Sequence, residues 1–291
     1  MTPPGVEVPE QSCDCHVHVF GPVNRYPFID GRAYTPKNAL PSDVVSVLSR
    51  MGIDRVVLIQ PSVYGTDNTR LLEAMDELPF QSRGIVVIAP DTNEKIIQEM
   101  HDRGIRGIRL NGIHWTEEEL KDQFSDFDSV IRIIADLGWH VEIYVGSQAY
   151  PALDKIANQY KIDIVLDHFG GVFSDNETIA NRTEAFKRFK NLGNIWIKLS
   201  GFYRIRDTDT DPGWEKGLVE FITGTMPNRL LWASDWPHTP DHKNGNSPNS
   251  DPQPFQNIDA GLLLSEIIEW IGDPRTVQRI LVDNPNSLYQ F

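Results

Sequence analysis

The chain has 291 residues, 41 of them acidic and 27 basic, and its formal charge of -14 would be repelled by phosphate backbones and anionic lipid surfaces. We therefore expect neither nucleic acid nor a membrane as partner. The composition, 40% hydrophobic and 10% aromatic, is enough for a large core. No apolar run approaches the roughly 18 residues of a membrane helix.

Residues 1–12 are rich in proline and are predicted to form a tail ahead of a single domain at 13–291. They show neither the basic start nor the apolar stretch of a secretory signal. The chain has only two cysteines, which excludes a disulfide framework. We expect both to be reduced and buried in a cytoplasmic protein.

The first candidate strand, "CDCHVHVF" at 13–20, combines cysteines and histidines. Successive side chains of a strand alternate between its two faces. One face should therefore carry Asp14, His16 and His18, and the other Cys13, Cys15 and Val17. His-x-His by itself fits a metal site, an active site or two structural histidines with satisfied hydrogen bonds.

Eight short runs rich in β-branched or aromatic residues follow one another along the chain. They are residues 13–20, 55–62, 83–90, 105–112, 140–146, 162–171, 194–204 and 229–238. The segments between them have helical periodicity, and Thr116 and Glu119 fit a capping box. This alternation predicts an α/β fold with a parallel sheet, and eight units in a chain of this length predict a single (β/α)8 TIM barrel. An open doubly wound sheet is the alternative, but the glycine-rich phosphate turn that it favours is absent.

Long polar segments follow the first and the last candidate strand, at residues 21–40 and 239–257. Loops of this length are often lids or binding loops. Both follow carboxyl ends of strands, which is the face where barrel enzymes have their active sites. We expect both segments at the mouth of the site.

Chemically competent side chains stand at the predicted strand ends, and they converge if the barrel forms. The set is His16 and His18 in strand 1, His168 in "LDHFGG" after strand 6, and Asp235 in "SDWPH" after strand 8. The remaining histidines have weaker claims. His114, His238 and His242 are expected near the mouth, His101 in a solvated helix, and His140 at the opposite end of strand 5.

Seven motifs occur in order over nearly the whole chain after residue 12: "CHVHVFGP", "GTDN", "RGIRLN", "IYVG", "DHFGG", "SDWPH" and "DNPNSLY". With them the sequence resembles the amidohydrolase superfamily (amidohydrolase 2 group). Within it, the sequence is most similar to the 2-pyrone-4,6-dicarboxylate lactonases and related lactone hydrolases such as the sulfomuconolactone hydrolases. The resemblance implies hydrolysis of a small anionic lactone, carboxylated or sulfonated, in the catabolism of aromatic compounds.

The resemblance also implies roles for individual residues. Asp235 would take a proton from the attacking water, and His16, His18 and His168 would stabilise the carbonyl oxygen as it becomes anionic. The substrate would be bound by Ser62, Arg106, Arg109, Tyr144, Arg204 and Tyr34. Arg106 and Arg109 are three residues apart in a strand and cannot both face inward, so one of the two should be structural.

Whether a metal takes part depends on the ligands. Four residues could together hold one zinc ion. They are His16, His18, His168 and Asp235. The further ligands that the resemblance leads us to expect of metal-dependent relatives, an acid or carboxylated lysine in strand 4 or a histidine ending strand 5, are missing. We therefore expect catalysis without a cofactor, with one zinc as the alternative. Glu142 lies on the inner face of strand 5, and a buried carboxylate needs a lysine, an arginine or a metal as partner.

Other functions on the same scaffold stay open from sequence. A lactone isomerase would use the same acid and base groups, and a related decarboxylase would need the metal. A non-catalytic binding protein is disfavoured, because it needs no converging histidines and aspartate. The exact lactone and a homo-oligomeric state are also left open.

Overall fold

The computed structural model describes residues 1–171, 179–204, 213–240 and 251–291. Eight strands form one parallel sheet in sequential order. They are β1 (Cys13–Val17), β2 (Arg55–Ile59), β3 (Gln81–Val86), β4 (Ile105–Gly112), β5 (His140–Val145), β6 (Ile164–Leu166), β7 (Ile195–Leu199) and β8 (Leu230–Trp232). The sheet closes where the segment after β8 returns to β1: His18 N donates to Trp236 O at 2.9 Å. The predicted (β/α)8 barrel is confirmed.

Helices separate the strands on the outside of the barrel. They are α1 (Pro41–Met51), α2 (Thr69–Glu77), α3 (Glu94–Asp102), α4 (Glu117–Asp126), α5 (Asp128–Asp136), α6 (Tyr150–Tyr160), α7 (Ile179–Lys190), α8 (Trp214–Thr225), α9 (Ala260–Ile271), α10 (Pro274–Gln278) and α11 (Asn284–Tyr289). The predicted capping box is present: Thr116 Oγ1 accepts from Glu119 N, and Glu119 accepts from Thr116 N. Within the described ranges, every helix is too short or too polar to cross a bilayer.

The apolar core has two layers on opposite faces of the sheet. In β2, Val56 and Leu58 belong to the large outer layer beneath the helices, whereas Val57 and Ile59 belong to a smaller cluster inside the barrel. Tyr289 at the end of α11 is also part of the inner cluster and closes the floor. This alternation is what a two-residue strand period produces when both faces are buried.

Strand β1 departs from that alternation. Cys13 and Cys15 lie in the inner cluster and Val17 in the outer one, so the expectation that these three share a face is wrong. The cause is an irregularity in the pairing of β1 with β2 between Asp14 and Val17. A bulge of this kind adds a residue and re-aims the side chains that follow it. Both cysteines are free and buried, as expected.

The last three strands are shorter than predicted. β6 ends at Leu166 and β8 at Trp232, because the chain leaves the extended conformation soon afterwards: His168 has φ 47° and Asp235 has φ 61°. His168 and Asp235 therefore lie in the turns after their strands. Of the predicted loop at 239–257, residues 241–250, which include His242, lie outside the described residues.

The amino-terminal tail packs along the barrel at α9. Thr2 N donates to the Asp259 carboxylate at 2.8 Å, and Gly5 N donates to Ser265 Oγ at 3.0 Å. Asp259 also caps α9 by accepting from Gly261 N. The contacts join the tail to the last long helix of the fold.

Candidate active site

Three histidines and one aspartate meet at the carboxyl end of the barrel, all of them buried. His16 Nε2 lies 3.2 Å from His18 Nε2 and 3.8 Å from Asp235 Oδ1. His18 Nε2 is 3.9 Å from that oxygen, and His168 Nε2 is 3.9 Å from Asp235 Oδ2. The structure thus brings together the four residues placed at one site by the sequence, while their catalytic roles stay predictions.

Two of these residues stand in strained turns that the surrounding structure holds in place. His168 and Asp235 have positive φ, which is unusual for residues with a side chain and is common at functional sites. His168 Nδ1 is 2.9 Å from Ser200 Oγ. Asp235 N donates to His16 O at 3.1 Å. The turn after β8 is therefore tied directly to β1.

The Asp235 carboxylate is held by groups from the end of β7. Tyr203 donates its hydroxyl hydrogen to Asp235 Oδ2 at 2.7 Å, and Arg204 Nε donates to the same oxygen at 3.2 Å. Although burial opposes it, the His168 ring and the Arg204 guanidinium hold the pKa of Asp235 well below its ordinary value. Asp235 is therefore ionised at neutral pH and can accept a proton.

The histidine rings are neutral near pH 7. Burial lowers the pKa of His18 to about 4 and the pKa of His16 well below the usual histidine value. Burial also lowers the pKa of His168. His18 is oriented by a contact of 2.8 Å between its Nδ1 and Ile59 O. Neutral imidazoles can donate or accept hydrogen bonds, and they can also ligate metals.

A layer of buried charges lies beneath the histidines. Lys198 Nζ is 2.5 Å from Glu142 Oε2, 3.2 Å from His16 Nδ1 and 3.5 Å from Asp167 Oδ1. Arg109 donates from Nε and Nη2 to Asp167 Oδ2 at 3.1 and 2.9 Å. Burial, followed by the Asp167 carboxylate, raises the pKa of Glu142 to about 8. The partner of Glu142, open from sequence, is a lysine.

Sequence reasoning missed three residues of this site. Lys198 stands alone as a charge in the apolar run "IWIKL", and such a charge in a buried strand is itself a signal. Asp167 directly precedes His168, and Tyr203 directly precedes Arg204, so each lay beside a residue that had been singled out. The strand alternation inferred for β1 did not predict that a lysine would contact His16.

Of the two candidate arginines in β4, only Arg109 enters the barrel. Arg106 lies near the amino end of the strand and points outward, where its Nη1 donates to His101 O at 2.9 Å and to Ile105 O at 2.7 Å. Its assignment to the substrate is therefore wrong, because the strand period puts the two side chains on opposite faces. As expected, one of the pair is structural.

The other predicted substrate groups line the mouth. The Tyr144 ring packs edge-on against the His168 ring, with centroids 5.2 Å apart. Ser62 is a hydrogen-bond partner of the buried Tyr34. Burial raises the pKa of Tyr34, against the nearby charges of Arg109 and Arg204. Tyr34 and Tyr144 thus both lie close to Arg109 and Arg204.

The two long loops contact each other. Gln253 N donates to Thr35 O at 2.7 Å, which joins the segment after β8 to the segment after β1. Phe255 packs on Phe20, with ring centroids 5.9 Å apart. The expectation that both segments lie at the mouth is confirmed for their described residues.

The remaining histidines divide between the mouth and the scaffold. His238 is buried and packs edge-on against Tyr203, with centroids 5.3 Å apart. His114 is exposed in the loop after β4. His101 is half-buried rather than solvated, because its Nδ1 accepts from Trp139 Nε1 at 2.9 Å. His140 lies at the floor against Tyr289.

The donor set fits a zinc ion in composition. Ligand atoms of His16, His18 and Asp235 lie within 4.8 Å of one another, and so do those of His16, Asp167 and His168. Nitrogen and carboxylate donors in such groups are what zinc prefers. If zinc binds, residues of these two groups would hold it, and His16 belongs to both.

Comparisons with known proteins find similar proteins over nearly the whole chain. The amidohydrolase family description matches residues 13–291. A 2-pyrone-4,6-dicarboxylate hydrolase of Comamonas testosteroni is 30% identical over 98% of this chain and 92% of its own. A 4-sulfomuconolactone hydrolase of Hydrogenophaga intermedia is 29% identical over 97% of this chain and 89% of its own. A crystal structure of a probable 2-pyrone-4,6-dicarboxylic acid hydrolase from Acinetobacter baumannii, with citric acid bound, has a TM-score of 0.81 at 27% identity, covering 97% of this chain and 100% of that one.

Proposed function

The chain belongs to the amidohydrolase family, and on that premise we propose that it hydrolyses a small anionic lactone by attack of water on the ring carbonyl. The observation that carries the proposal is the ionised Asp235 carboxylate set among His16, His18 and His168 at the barrel mouth. The two curated relatives support it, since their names contain a sulfonated lactone and a pyrone dicarboxylate.

In this reaction Asp235 takes a proton from the attacking water. Tyr203 and Arg204 hold Oδ2, so the carboxylate keeps a fixed orientation with Oδ1 toward His16 and His18. A positioned base of this kind contributes about 10²- to 10⁴-fold to the rate. An imidazole N–H that faces the substrate stabilises the carbonyl oxygen as it gains negative charge, which is a contribution of similar size.

The anionic group of the substrate binds to a local positive pocket in an acidic protein. Arg109 and Arg204 supply the charge, and Tyr34, Tyr144 and Ser62 supply hydroxyl groups around it. Arginine suits this role because its planar fork binds a carboxylate or sulfonate through two parallel hydrogen bonds. Arg204 Nη2 is 3.1 Å from Thr239 Oγ1, so the loop after β8 also holds the guanidinium group in place.

We propose that no metal takes part, with one zinc ion on His16, His18, His168 and Asp235 as the alternative. When bound, zinc would polarise the lactone carbonyl as a Lewis acid. The buried charges support the first reading: Glu142 and Asp167 are already paired with Lys198 and Arg109, and the Lys198 cation contacts His16.

The metal proposal predicts that protein purified without added metal contains well under one equivalent of any transition metal. Turnover should survive dialysis against a chelator, because the protein's own cations and N–H groups stabilise the oxyanion. Elemental analysis and activity before and after chelation measure this. Stoichiometric zinc, with activity lost on its removal and restored on its return, would reverse the proposal.

The experiment for the function is a screen of carboxylated and sulfonated lactones followed by proton release. Ring opening makes a new acid and consumes one equivalent of base. A lactone isomerase consumes none, a decarboxylase releases carbon dioxide, and a binding protein leaves the lactone unchanged. Product analysis on each substrate that reacts therefore separates the four functions.

We also propose a cellular location and a metabolic role for the protein. The charge of -14 and the two free, buried cysteines support a cytoplasmic protein without a nucleic-acid partner. The substrates of the curated relatives support a role in the catabolism of aromatic compounds. Light scattering of the purified protein measures whether it forms a homo-oligomer.

A further inference from the structure

A buried lysine lies against the inner side of His16. Lys198 Nζ is 3.2 Å from His16 Nδ1, and Asp167 Oδ1 is also 3.2 Å from that nitrogen. Either Lys198 donates a hydrogen to Nδ1, or Nδ1 carries a hydrogen directed at Asp167. The choice decides whether the other ring nitrogen, Nε2, faces the pocket with a hydrogen or with a lone pair.

The hydrogen bonds on the pocket side of His16 decide between the two. A carbonyl oxygen only accepts, so His18 Nδ1, which is 2.8 Å from Ile59 O, carries the hydrogen. A neutral imidazole has one N–H, so His18 Nε2 is an acceptor. His16 Nε2 lies 3.2 Å from that acceptor and donates to it. His16 Nδ1 therefore lacks a hydrogen and accepts one from Lys198.

Two carboxylates also lie near His16 Nδ1. Asp167 Oδ1 and Glu142 Oε1 lie 3.2 and 3.5 Å from His16 Nδ1. Asp167 Oδ1 is therefore within hydrogen-bond distance of Nδ1 and competes with Lys198 for it. The Lys198 contact with Nδ1 has hydrogen-bond geometry.

Building on the proposed lactone hydrolysis, we propose that Lys198 is a positioning residue that keeps the hydrogen of His16 on Nε2. This hydrogen is donated to His18 in the free protein and to the lactone carbonyl oxygen once the substrate is bound. Lys198 lies below His16 and acts only through it. Without the lysine, His16 would turn its hydrogen to Asp167 and present a lone pair to the pocket. That form suits a zinc ion and cannot stabilise an oxyanion.

The first test is the tautomer of His16 in the whole protein. Long-range ¹H–¹⁵N correlation spectra of histidine-labelled protein distinguish the two neutral forms, and the spectrum of His16→Gln assigns the signal. Wild type should show the Nε2–H form. In Lys198→Met the signal should change to the Nδ1–H form. Glu142→Gln, which removes the neighbouring carboxylate and keeps the lysine, is the matched control and should retain the Nε2–H form.

The second test is zinc affinity without substrate. Lys198→Met should bind zinc about 10- to 100-fold more tightly than wild type, because Asp167 then orients His16 as a ligand. Its turnover should fall by about 10²- to 10³-fold, the cost of one oxyanion donor. The double variant Lys198→Met/Glu142→Gln, in which no unpaired carboxylate is left beside the mutation, should show the same changes.

An Nδ1–H tautomer in wild type would overturn the proposal, and that measurement needs no variant to fold. Unchanged tautomer and zinc affinity in both lysine variants would overturn it as well. Neither readout uses a lactone. If no lactone is hydrolysed but the tautomer follows Lys198, the proposed function fails while the control of His16 by Lys198 stands.

Discussion

The inside of the barrel has an apolar floor and a charged layer above it, both built from the same strands. Of two residues that are two positions apart on the inner face of a strand, one lies in the floor and the next lies in the charged layer. The pairs are His140 and Glu142 in β5, Val165 in β6 and Asp167 just after it, Trp196 and Lys198 in β7, and Ala233 and Asp235 just after β8. Layers of this kind follow from the strand period in a closed barrel.

Histidines occur in both layers, and their surroundings differ. At the mouth, His16, His18 and His168 each have a hydrogen-bond partner within the described residues. At the floor, neither ring nitrogen of His140 has such a partner in the described ranges, and the ring packs edge-on against Tyr289 with centroids 5.3 Å apart. Residue type therefore does not separate the two groups of histidines, whereas position along the strand does.

The largest contrast between the layers is expected from replacing one carboxylate in each. Asp235→Asn should lower kcat by about 10²-fold or more, because the variant keeps the shape of the side chain but cannot take a proton from water. Asp163→Asn, at the floor end of β6, is the matched control and should leave kcat near wild type. Steady-state kinetics on the best lactone, with circular dichroism to verify folding, measure both.

An Asp235→Asn variant with most of the wild-type turnover would refute the assignment of the base. Equal losses in the two variants would refute the contrast itself, since the effect would then reflect a general loss of structure. The low pKa of Asp235 adds a second signature. No loss of activity assignable to this base should appear on acidification until well below the ordinary carboxyl pKa.

The next effect concerns the anion pocket. A bidentate contact between Arg204 and the anionic group gains charge-assisted hydrogen bonds worth about 1.5–3 kcal/mol each, which is about 10- to 150-fold in binding. Arg204→Lys keeps the charge but loses the fork, so KM should rise within that range, and Arg204→Met should raise it further. Both should also lower kcat, because Arg204 Nε holds Asp235.

The control for this prediction is Arg106→Met, which removes an arginine from the outer face and should leave KM unchanged. Each variant is measured on the best lactone and on an analogue that lacks the anionic group. If the Arg204 variants discriminate the two substrates as well as wild type does, Arg204 does not bind the anionic group. The residues that bind this group must then lie elsewhere.

The sequence predicted the fold because alternating strand and helix patterns leave few packings for eight units. It also predicted which side chains converge, since strand ends meet whatever the details of each turn. His168 and Asp235 were found in this way even though their strands end earlier than expected.

The sequence did not predict the contacts that depend on exact register. The bulge in β1 turns His16 inward beside cysteines that should lie on the other face, and nothing in "CDCHVHVF" marks it. Lys198 was missed because its partners come from three other strands, and pairing over such distances in sequence is a property of the closed barrel.

The smallest effect on turnover is expected at the floor, where His140 should matter for stability. Burial, with the charge of Lys198, lowers the pKa of His140 from 6.5 to about 3. Between these values the unfolded chain binds a proton that the folded protein does not. His140 therefore lowers the free energy of unfolding as the pH falls below 6.5.

Replacing His140 by methionine, which has a similar volume and no proton to bind, should remove that dependence. The wild-type loss of stability between about pH 7 and about pH 5 should shrink by about 2 kcal/mol in His140→Met, measured by urea unfolding at both pH values. Turnover should change little, because the residue lies beneath the charged layer. His114→Met, at an exposed site, should keep the wild-type dependence. If His140→Met loses as much stability as wild type on acidification, the floor histidine is not held neutral by the fold. The distinction between the two layers would then rest on catalysis alone.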